Sequence, residues 1–109
     1  MKPFAEVFPA ENISIVLFGG IYIKEMRIPR GFVMVSHRHT FDHISRLDIG
    51  EVFITIDGVE TFFRAPAYIK IKAGEEHMLR AVSDVVWLCI HATSVVDADA
   101  VEPSLIGVG

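Results

Sequence analysis

Short apolar segments alternate with turn residues along most of the chain. Segments rich in Val, Ile, Phe and Thr recur between breaks such as Gly19-Gly20 and Asp57-Gly58. Because β-branched and aromatic residues favour extended backbone, each segment predicts a strand. The eight predicted strands are 13–18, 21–28, 31–37, 43–49, 51–57, 59–65, 67–73 and 85–92. Asp57-Gly58 is typical of a two-residue hairpin turn, so the strands on either side of it should pair.

Several segments alternate strictly between the two faces of a strand. Val52, Ile54 and Ile56 share one face of segment 51–57, as expected for a strand buried on one side. No segment shows a helical period, and the one candidate helix is a short one near 97–100. Eight or nine short strands separated by tight turns predict an all-β fold, either a sandwich or a barrel.

The alternation is lost towards the C-terminus, in a stretch that reads SVVDADAVEPSLIGVG. We therefore expect a single domain over residues 1–109, with a barrel core of about 13–92. The C-terminal tail, 93–109, should pack on the outside of the barrel or against a partner chain.

Composition narrows the possible partners. Hydrophobic residues make up 51% of the 109-residue chain, yet no apolar run approaches the ~20 residues of a membrane span. The net charge is −4, and no basic cluster is large enough to bind phosphates, so neither a membrane nor a nucleic-acid partner is expected. The N-terminus does not resemble a secretory signal. Cys89 is the only cysteine and lies in an apolar run, which predicts a buried, inert thiol and a cytoplasmic protein.

Three of the five histidines lie within seven residues, at His37, His39 and His43. Residues two apart on a strand point the same way, so His37 and His39 should project from one face. A turn can bring His43, which opens the next predicted strand, opposite them. Imidazole binds zinc, copper, iron and nickel, so the cluster predicts a metal site. The alternative is a set of surface or turn histidines with no ligand.

The spacing of this cluster carries a resemblance to a known family. Gly31, His37, His39, His43 and Gly50 are separated in turn by five, one, three and six residues. This spacing resembles the first motif of the cupin superfamily, G-x5-H-x-H-x3,4-E-x6-G. The one departure is His43, which stands where the motif has glutamate.

The second cupin motif, G-x5-P-x-G-x2-H-x3-N, is matched in part. Gly74 and His77 fit it, whereas Pro66, Lys72 and Ala81 replace its glycine, proline and asparagine. The resemblance extends from about residue 21 to residue 90. It implies an antiparallel cupin β-barrel, or jelly roll, with one divalent transition metal inside one end and His77 as the fourth ligand.

Four histidine ligands would be neutral, so the metal would keep its full positive charge, which favours anionic substrates. Four ligands on a six-coordinate ion leave two positions open for water, O2 or a substrate. Iron, manganese, nickel or copper fits this arrangement better than a closed zinc site, although zinc is also possible.

Other residues near the cluster have alternative interpretations. Asp42 could be the carboxylate ligand in place of His43. Asp42, Glu75 and Glu76 are otherwise interpreted as turn charges or as groups that orient the ligands. His91 is interpreted as a core or interface residue, with a role in the cavity as the alternative.

The residues on the same face as the ligands predict the lining of the cavity. They are Val33, Val35, Ser45, Leu47, Val52, Ile54, Ile56 and Leu79, with Ile69 and Ile71 behind them. The lining is mostly aliphatic, and Ser45 is its clear polar member. Such a pocket suits a small, partly apolar substrate with an anionic head.

The aromatic strand residues are expected on the outside, where they would favour a homodimer formed by sheet packing. They are Phe53, Phe62, Phe63, Tyr68 and Trp87. The alternative is that some of them fill the far end of the barrel. The resemblance implies a metal-dependent oxygenase acting on a small molecule. A metal-dependent isomerase or lyase is the alternative enzyme, and a metal-binding sensor module is the alternative without catalysis.

Overall fold

The structure, a computed structural model, describes residues 12–35 and 41–93. These residues form nine strands: β1 (Ile13–Phe18), β2 (Ile21–Ile28), β3 (Val33–Val35), β4 (His43–Ile49), β5 (Glu51–Ile56), β6 (Val59–Arg64), β7 (Ala67–Ile71), β8 (His77–Ala81) and β9 (Val85–Ala92). All eight predicted strands are present, and β8 is the strand that was not predicted. The candidate helix near 97–100 and the C-terminal tail lie outside the described residues.

The strands form two antiparallel sheets that face each other as a barrel. One sheet has the order β1-β2-β9-β4-β7, and the other has the order β3-β8-β5-β6. Strands that follow each other in sequence pair directly in β1–β2 and β5–β6, and the other pairs join strands distant in sequence. The predicted all-β antiparallel barrel is confirmed.

The core lies between the two sheets and takes residues from both. Leu47 and Trp87 of the first sheet and Val52 and Leu79 of the second are fully buried in it. Because side chains alternate along a strand, every second residue of each strand faces this core. Burying these side chains is the main force that holds the sheets together.

The residues predicted to face the interior do so on β4, β5, β7 and β8, where they are buried or partly buried in the core, whereas the prediction is wrong for β3. Val35 is exposed, whereas Met34 faces the core with 8% of its surface accessible. Val33 shares the face of Val35, so neither valine lines the interior. The sequence analysis assigned the alternating inward and outward positions of β3 one residue out of place. Such an error exchanges the buried and the exposed side chains of the whole strand.

The predicted outward aromatics are divided between the two faces. Phe62 and Tyr68 are exposed, and the Phe53 ring lies against Phe62 and under the Arg80 guanidinium on the outer face. Trp87 is fully buried, and Phe63 packs against the core, so these two do not face outward.

Gly50 joins β4 to β5 with a backbone conformation that favours glycine. Its φ is +99°, in the left-handed region. A Cβ at this position would collide with the Asp84 carbonyl oxygen and lie 2.8 Å from Ser83 Oγ. This close approach explains why the last position of the first histidine motif, residue 50, is a glycine.

In residues 12–35 and 41–93, no helix is both long and apolar enough to cross a bilayer.

Candidate metal centre

His43 and His77 face each other across the barrel from different sheets. His43 opens β4 and pairs with Ile71, whereas His77 opens β8 and pairs with Ile56. Both side chains are buried, at 5% and 2% exposure. Their ring centroids lie 6.3 Å apart, with the ring planes inclined by 48°.

This pair is chemically suited to a transition metal. A metal bonded to an imidazole nitrogen at about 2.1 Å lies about 3.2 Å from the ring centroid, so two rings on one ion can be up to about 6.4 Å apart. The 6.3 Å between the His43 and His77 centroids is near that limit. The donor types suit such a metal, and the centroid separation allows both rings to reach one ion only from nearly opposite sides.

His37 and His39 lie outside the described residues, so their part in the site remains a prediction. The segment that carries them is nevertheless anchored at both ends beside the buried pair. Val35, the last residue of β3, pairs with Met78, the neighbour of His77. The segment then ends at His43 itself, the first residue of β4.

The described part of the chain holds no group of three His, Cys, Asp or Glu side chains placed to bind one metal. His43 and His77 therefore need at least one ligand from elsewhere to form a site. His91 does not complete a set with them. Its ring stacks on the ring of His43, with centroids 4.2 Å apart and planes inclined by 26°.

The carboxylates near the pair hold the turn between β7 and β8. Asp42 Oδ1 accepts a hydrogen bond of 2.8 Å from the Ala73 N–H. Glu75 Oε1 accepts one of 2.7 Å from the Lys72 N–H. These bonds support the interpretation of Asp42 and Glu75 as turn residues, because each carboxylate already stabilises backbone.

The structure adds Tyr22 to the histidines, which the sequence analysis did not single out. Tyr22 is 1% exposed and pairs with His91, and the two ring centroids lie 6.0 Å apart. Tyr22, His91 and His43 thus form a row of rings across β2, β9 and β4. The alternation of side chains along β2 was the one sequence signal for Tyr22. Both faces of this strand carry apolar residues, so the pattern does not show which face is buried.

Lys24 is the second residue that the sequence analysis missed. It lies between Tyr22 and Met26 on the inward face of β2, and it pairs with Cys89. Cys89 in turn pairs with Ser45 of β4. A row with a lysine, a thiol and a hydroxyl therefore lies directly beside the row of rings.

A surface groove of about 300 Å³ lies at the other end of β2 and β9. Its lining includes Asn12, Arg27 and Asp84. Asp84 precedes β9, whereas His91 is near the end of that strand, so the groove is separate from the histidines.

Comparison with solved structures identifies the fold. The sequence matches no protein-family profile, and no curated protein is similar to it in sequence. A cupin-2 domain-containing protein from Shewanella frigidimarina is similar in structure, with a TM-score of 0.63 and 14% identity, over 82% of this chain and 87% of that one. The cupin-2 domain of an XRE-family transcriptional regulator from Enterobacter cloacae gives a TM-score of 0.63 at 14% identity, over 72% of this chain and 90% of that domain.

A third similar structure is an enzyme. It is a variant of the salicylate 1,2-dioxygenase of Pseudoaminobacter salicylatoxidans in complex with gentisate. The TM-score is 0.65 at 9% identity, over 72% of this chain and 24% of the dioxygenase. The chain therefore spans about a quarter of that enzyme. Together these similarities show that the chain has the cupin fold.

Proposed function

We propose that this protein binds one divalent transition metal through His37, His39, His43 and His77. One observation carries the proposal: His43 and His77 are buried, come from opposite sheets and face each other at 6.3 Å. The segment that joins β3 to β4 contains the other two histidines and is anchored beside this pair at both ends. An extended chain covers at most about 3.5 Å per residue, so His37 and His39 are within reach of the pair.

The proposal requires a break in alternation after β3. Val35 faces outward, so strict alternation would carry His37 and His39 to the outer face as well. The chain has to leave one sheet and enter the other between Val35 and His43, because β3 and β4 belong to different sheets. The proposal therefore requires that His37 and His39 do not continue the alternation of β3.

When bound, an ion held by four neutral imidazoles would supply Lewis acidity and redox chemistry at this end of the barrel. The residues of the chain would provide its surroundings. His43 and His77 would be held in place by burial, and the stacked ring of His91 would restrict rotation of His43. The aliphatic wall formed by residues such as Ile54 and Leu79 would exclude water.

The reaction that we favour is oxygenation of a small, partly apolar and anionic substrate. The aliphatic interior suits the apolar part of such a molecule, and the structural similarity to a dioxygenase solved with gentisate is consistent with it. A metal-dependent isomerase or lyase is the alternative enzyme, because the same fold supports many reactions. The similarity to the cupin domain of a transcriptional regulator favours a third possibility, a sensor that binds a metal and a ligand without turnover.

We also propose that the protein is a cytoplasmic homodimer that binds neither nucleic acid nor membrane. Cys89 is the single cysteine of the sequence, so no intramolecular disulfide can form, which suits a reducing compartment. Exposed apolar residues on the outer face of the five-stranded sheet, such as Ile44 and Val16, suit a partner surface.

Metal analysis of protein purified without a metal-binding tag tests the metal site. We expect about one equivalent of iron, manganese, copper or nickel by elemental analysis, with a matching EPR spectrum for a paramagnetic ion. The His37→Ala and His77→Ala variants should each lose stoichiometric metal, and His91→Phe, which keeps a ring beside His43, should retain it. Retention of a full equivalent in His77→Ala would refute the ligand set. Oxygen-uptake assays with small carboxylic acids then separate an oxygenase from a sensor.

A further inference from the structure

We propose that residues 104–108 of the C-terminal tail pair with the free edge of β1 and extend the five-stranded sheet by one strand. The free edge is the side of β1 that faces away from β2. The contact goes beyond the proposed function, because it depends neither on a metal nor on the packing of the outer sheet face against a second copy. It assigns a docking surface on the barrel and the segment that occupies it.

The backbone of β1 is ready to pair with another strand. β1 pairs with β2 over all six of its residues, without a shift in register. In residues 12–35 and 41–93, no strand pairs with its other side. Every second residue of β1 therefore points its N–H and its C=O away from the sheet. Such a regular row of unpaired groups is a template for a further strand.

β1 lacks the features that protect the other three edges of the two sheets. β3 has only three residues. β6 carries Glu60 and Arg64, and β7 carries Lys70. Short length and charged side chains are common ways in which proteins block a sheet edge. The sequence of β1 is ISIVLF, with no charge, no proline and no glycine. A segment of this kind is normally covered, because it would otherwise pair with other chains.

The side chains of β1 also leave apolar surface uncovered on both faces of the sheet. Val16 and Phe18, on the outer face, are 56% and 85% exposed. Ile15 pairs with Lys24 and so faces inward, yet 44% of its surface is accessible. The four-stranded sheet therefore covers this side chain only in part. A strand beside β1 would place its own side chains next to Ile15 and remove that surface from water.

The tail leaves the sheet close to this edge. The Thr93 N–H donates a hydrogen bond of 2.9 Å to the carbonyl oxygen of Gly20, in the turn between β1 and β2. From β9, the free side of β1 is three strand spacings away, which is about 14 Å. The ten residues 94–103 span about 33 Å when extended, so they are long enough for this crossing. A segment that returns from the Gly20 end of β1 runs antiparallel to β1.

The sequence of the tail matches a crossing followed by a strand. Its three acidic residues all lie in 94–103, where the crossing would keep them in water. Pro103 ends this part, and the next five residues read SLIGV, without a charge. Ile106 and Val108 share one face of an extended segment, which suits the inward face beside Ile15.

The N-terminal segment, 1–11, suits the edge less well. It joins β1 directly, so it would have to turn back at Asn12 to pair with this strand. Glu6 and Pro9 would then fall in the paired region. The proline would remove a backbone donor there, and the carboxylate would lie beside apolar side chains.

Hydrogen exchange of the backbone amides, followed by NMR on the ¹⁵N-labelled protein, tests the contact. In the unmodified protein we expect protection of β1 amides on both sides of the strand. In a chain without residues 104–109, every second amide of β1 should exchange at least about tenfold faster, while the amides bonded to β2 stay protected. Ile106→Pro should have the same effect, because proline interrupts the paired segment. Val96→Pro, in the crossing, is the matched control and should leave β1 unchanged.

Three results would overturn the proposal. If the alternate amides of β1 stay protected without residues 104–109, another segment or a second copy covers the edge. If all six amides accelerate together, the tail stabilises the fold without pairing with β1. An isotope-filtered NOE experiment on a 1:1 mixture of labelled and unlabelled chains gives the third test. Contacts between 104–108 and β1 that arise only between different chains would assign the edge to the tail of a partner.

Loss of the tail should also open the edge to other chains. We expect the chain without residues 104–109 to show a higher average mass by light scattering than the unmodified protein, and the mass should rise with concentration. Ser14→Lys, which adds a charge to the exposed strand, should reverse this association in the shortened chain. An unchanged mass in the shortened chain would mean that the edge attracts no strand, and the proposal would fail.

Discussion

The imidazole rings of His43 and His91 stack with their centroids 4.2 Å apart, although the two residues lie on different strands. The planes are inclined by only 26°, so one ring covers the face of the other. Tyr22 continues the row on the far side of His91. The interpretation of His91 as a core or interface residue agrees with this arrangement, in which its buried ring is packed against His43.

Removal of the stacked ring should therefore loosen the proposed metal site without abolishing it. Residues that orient metal ligands typically change metal affinity by about 10–100-fold when they are replaced. We expect His91→Ala to bind one equivalent of metal with affinity lowered within that range, and His91→Phe to lie close to the unmodified protein. A competition titration with a chromophoric chelator measures the difference. Complete loss of metal in His91→Ala would mean that His91 is a ligand.

Metal should raise the thermal stability of the protein through binding to the folded state. An ion present at 100 times its dissociation constant stabilises the folded state by about 2.7 kcal/mol. For a chain of about 100 residues this corresponds to a rise in Tm on the order of 10 °C. Differential scanning calorimetry with and without a chelator measures it. His77→Ala should show no such rise, and an equal rise in that variant would place the metal at another site.

Gly50→Ala should be markedly more destabilising than Gly58→Ala. Both glycines have positive φ, at +99° and +82°, so each substitution costs about 1–2 kcal/mol of backbone strain. At Gly50 the added Cβ also collides with the Asp84 carbonyl oxygen, whereas at Gly58 nothing lies within 4 Å. We expect a loss of at least about 3 kcal/mol at Gly50 and about 1–2 kcal/mol at Gly58, measured by urea unfolding. Equal losses of stability in the two variants would mean that the backbone around Gly50 moves to relieve the clash without destabilising the fold.

The proposed homodimer should depend on the outer face of the five-stranded sheet. An apolar row crosses this face, because Ile23 pairs with both Val16 and Ile90, and Ile90 pairs with Ile44. Light scattering at micromolar concentration should give twice the chain mass of 12.1 kDa. Ile44→Glu should give the single chain mass with unchanged circular dichroism, because this side chain is about half exposed in one chain. Glu60→Lys, on the outer face of the other sheet, is the control and should remain dimeric. A monomeric unmodified protein would contradict the proposal.

The sequence predicted the strands well because most of them alternate and end at turn residues. Asp57-Gly58 forms the expected hairpin turn, with φ of +47° and +82°. β8 was not predicted because its sequence, HMLRA, is short and carries an arginine that faces outward. These features weaken the apolar signal of a strand whose inward residues are nevertheless fully buried.

The direction of side chains was harder to predict than the strands themselves. Trp87 lies in VVWLCIHA, which is apolar on both faces, so periodicity does not say which face is buried. Val33 and Val35 were predicted to face the interior because they alternate with His37, which was expected to point inward. In the structure the intervening residue, Met34, faces the interior instead. His43 and His77 were found from spacing and resemblance, and the structure brings them together. Tyr22 and Lys24 became visible only when β2 was placed beside β9, since that contact joins distant parts of the chain.

The location of His43 and His77 on separate sheets has a mechanical consequence. The strand ladders run within each sheet, so packing and connecting loops are what hold one sheet to the other. An ion bound to both imidazoles would act as a cross-link between the two halves, closing a loop of chain much as a disulfide does. Without the ion, the packed core and the connecting loops alone would hold the two sheets together. With the ion bound, the sheets would also be tied to each other at the end of the barrel where His43 and His77 lie.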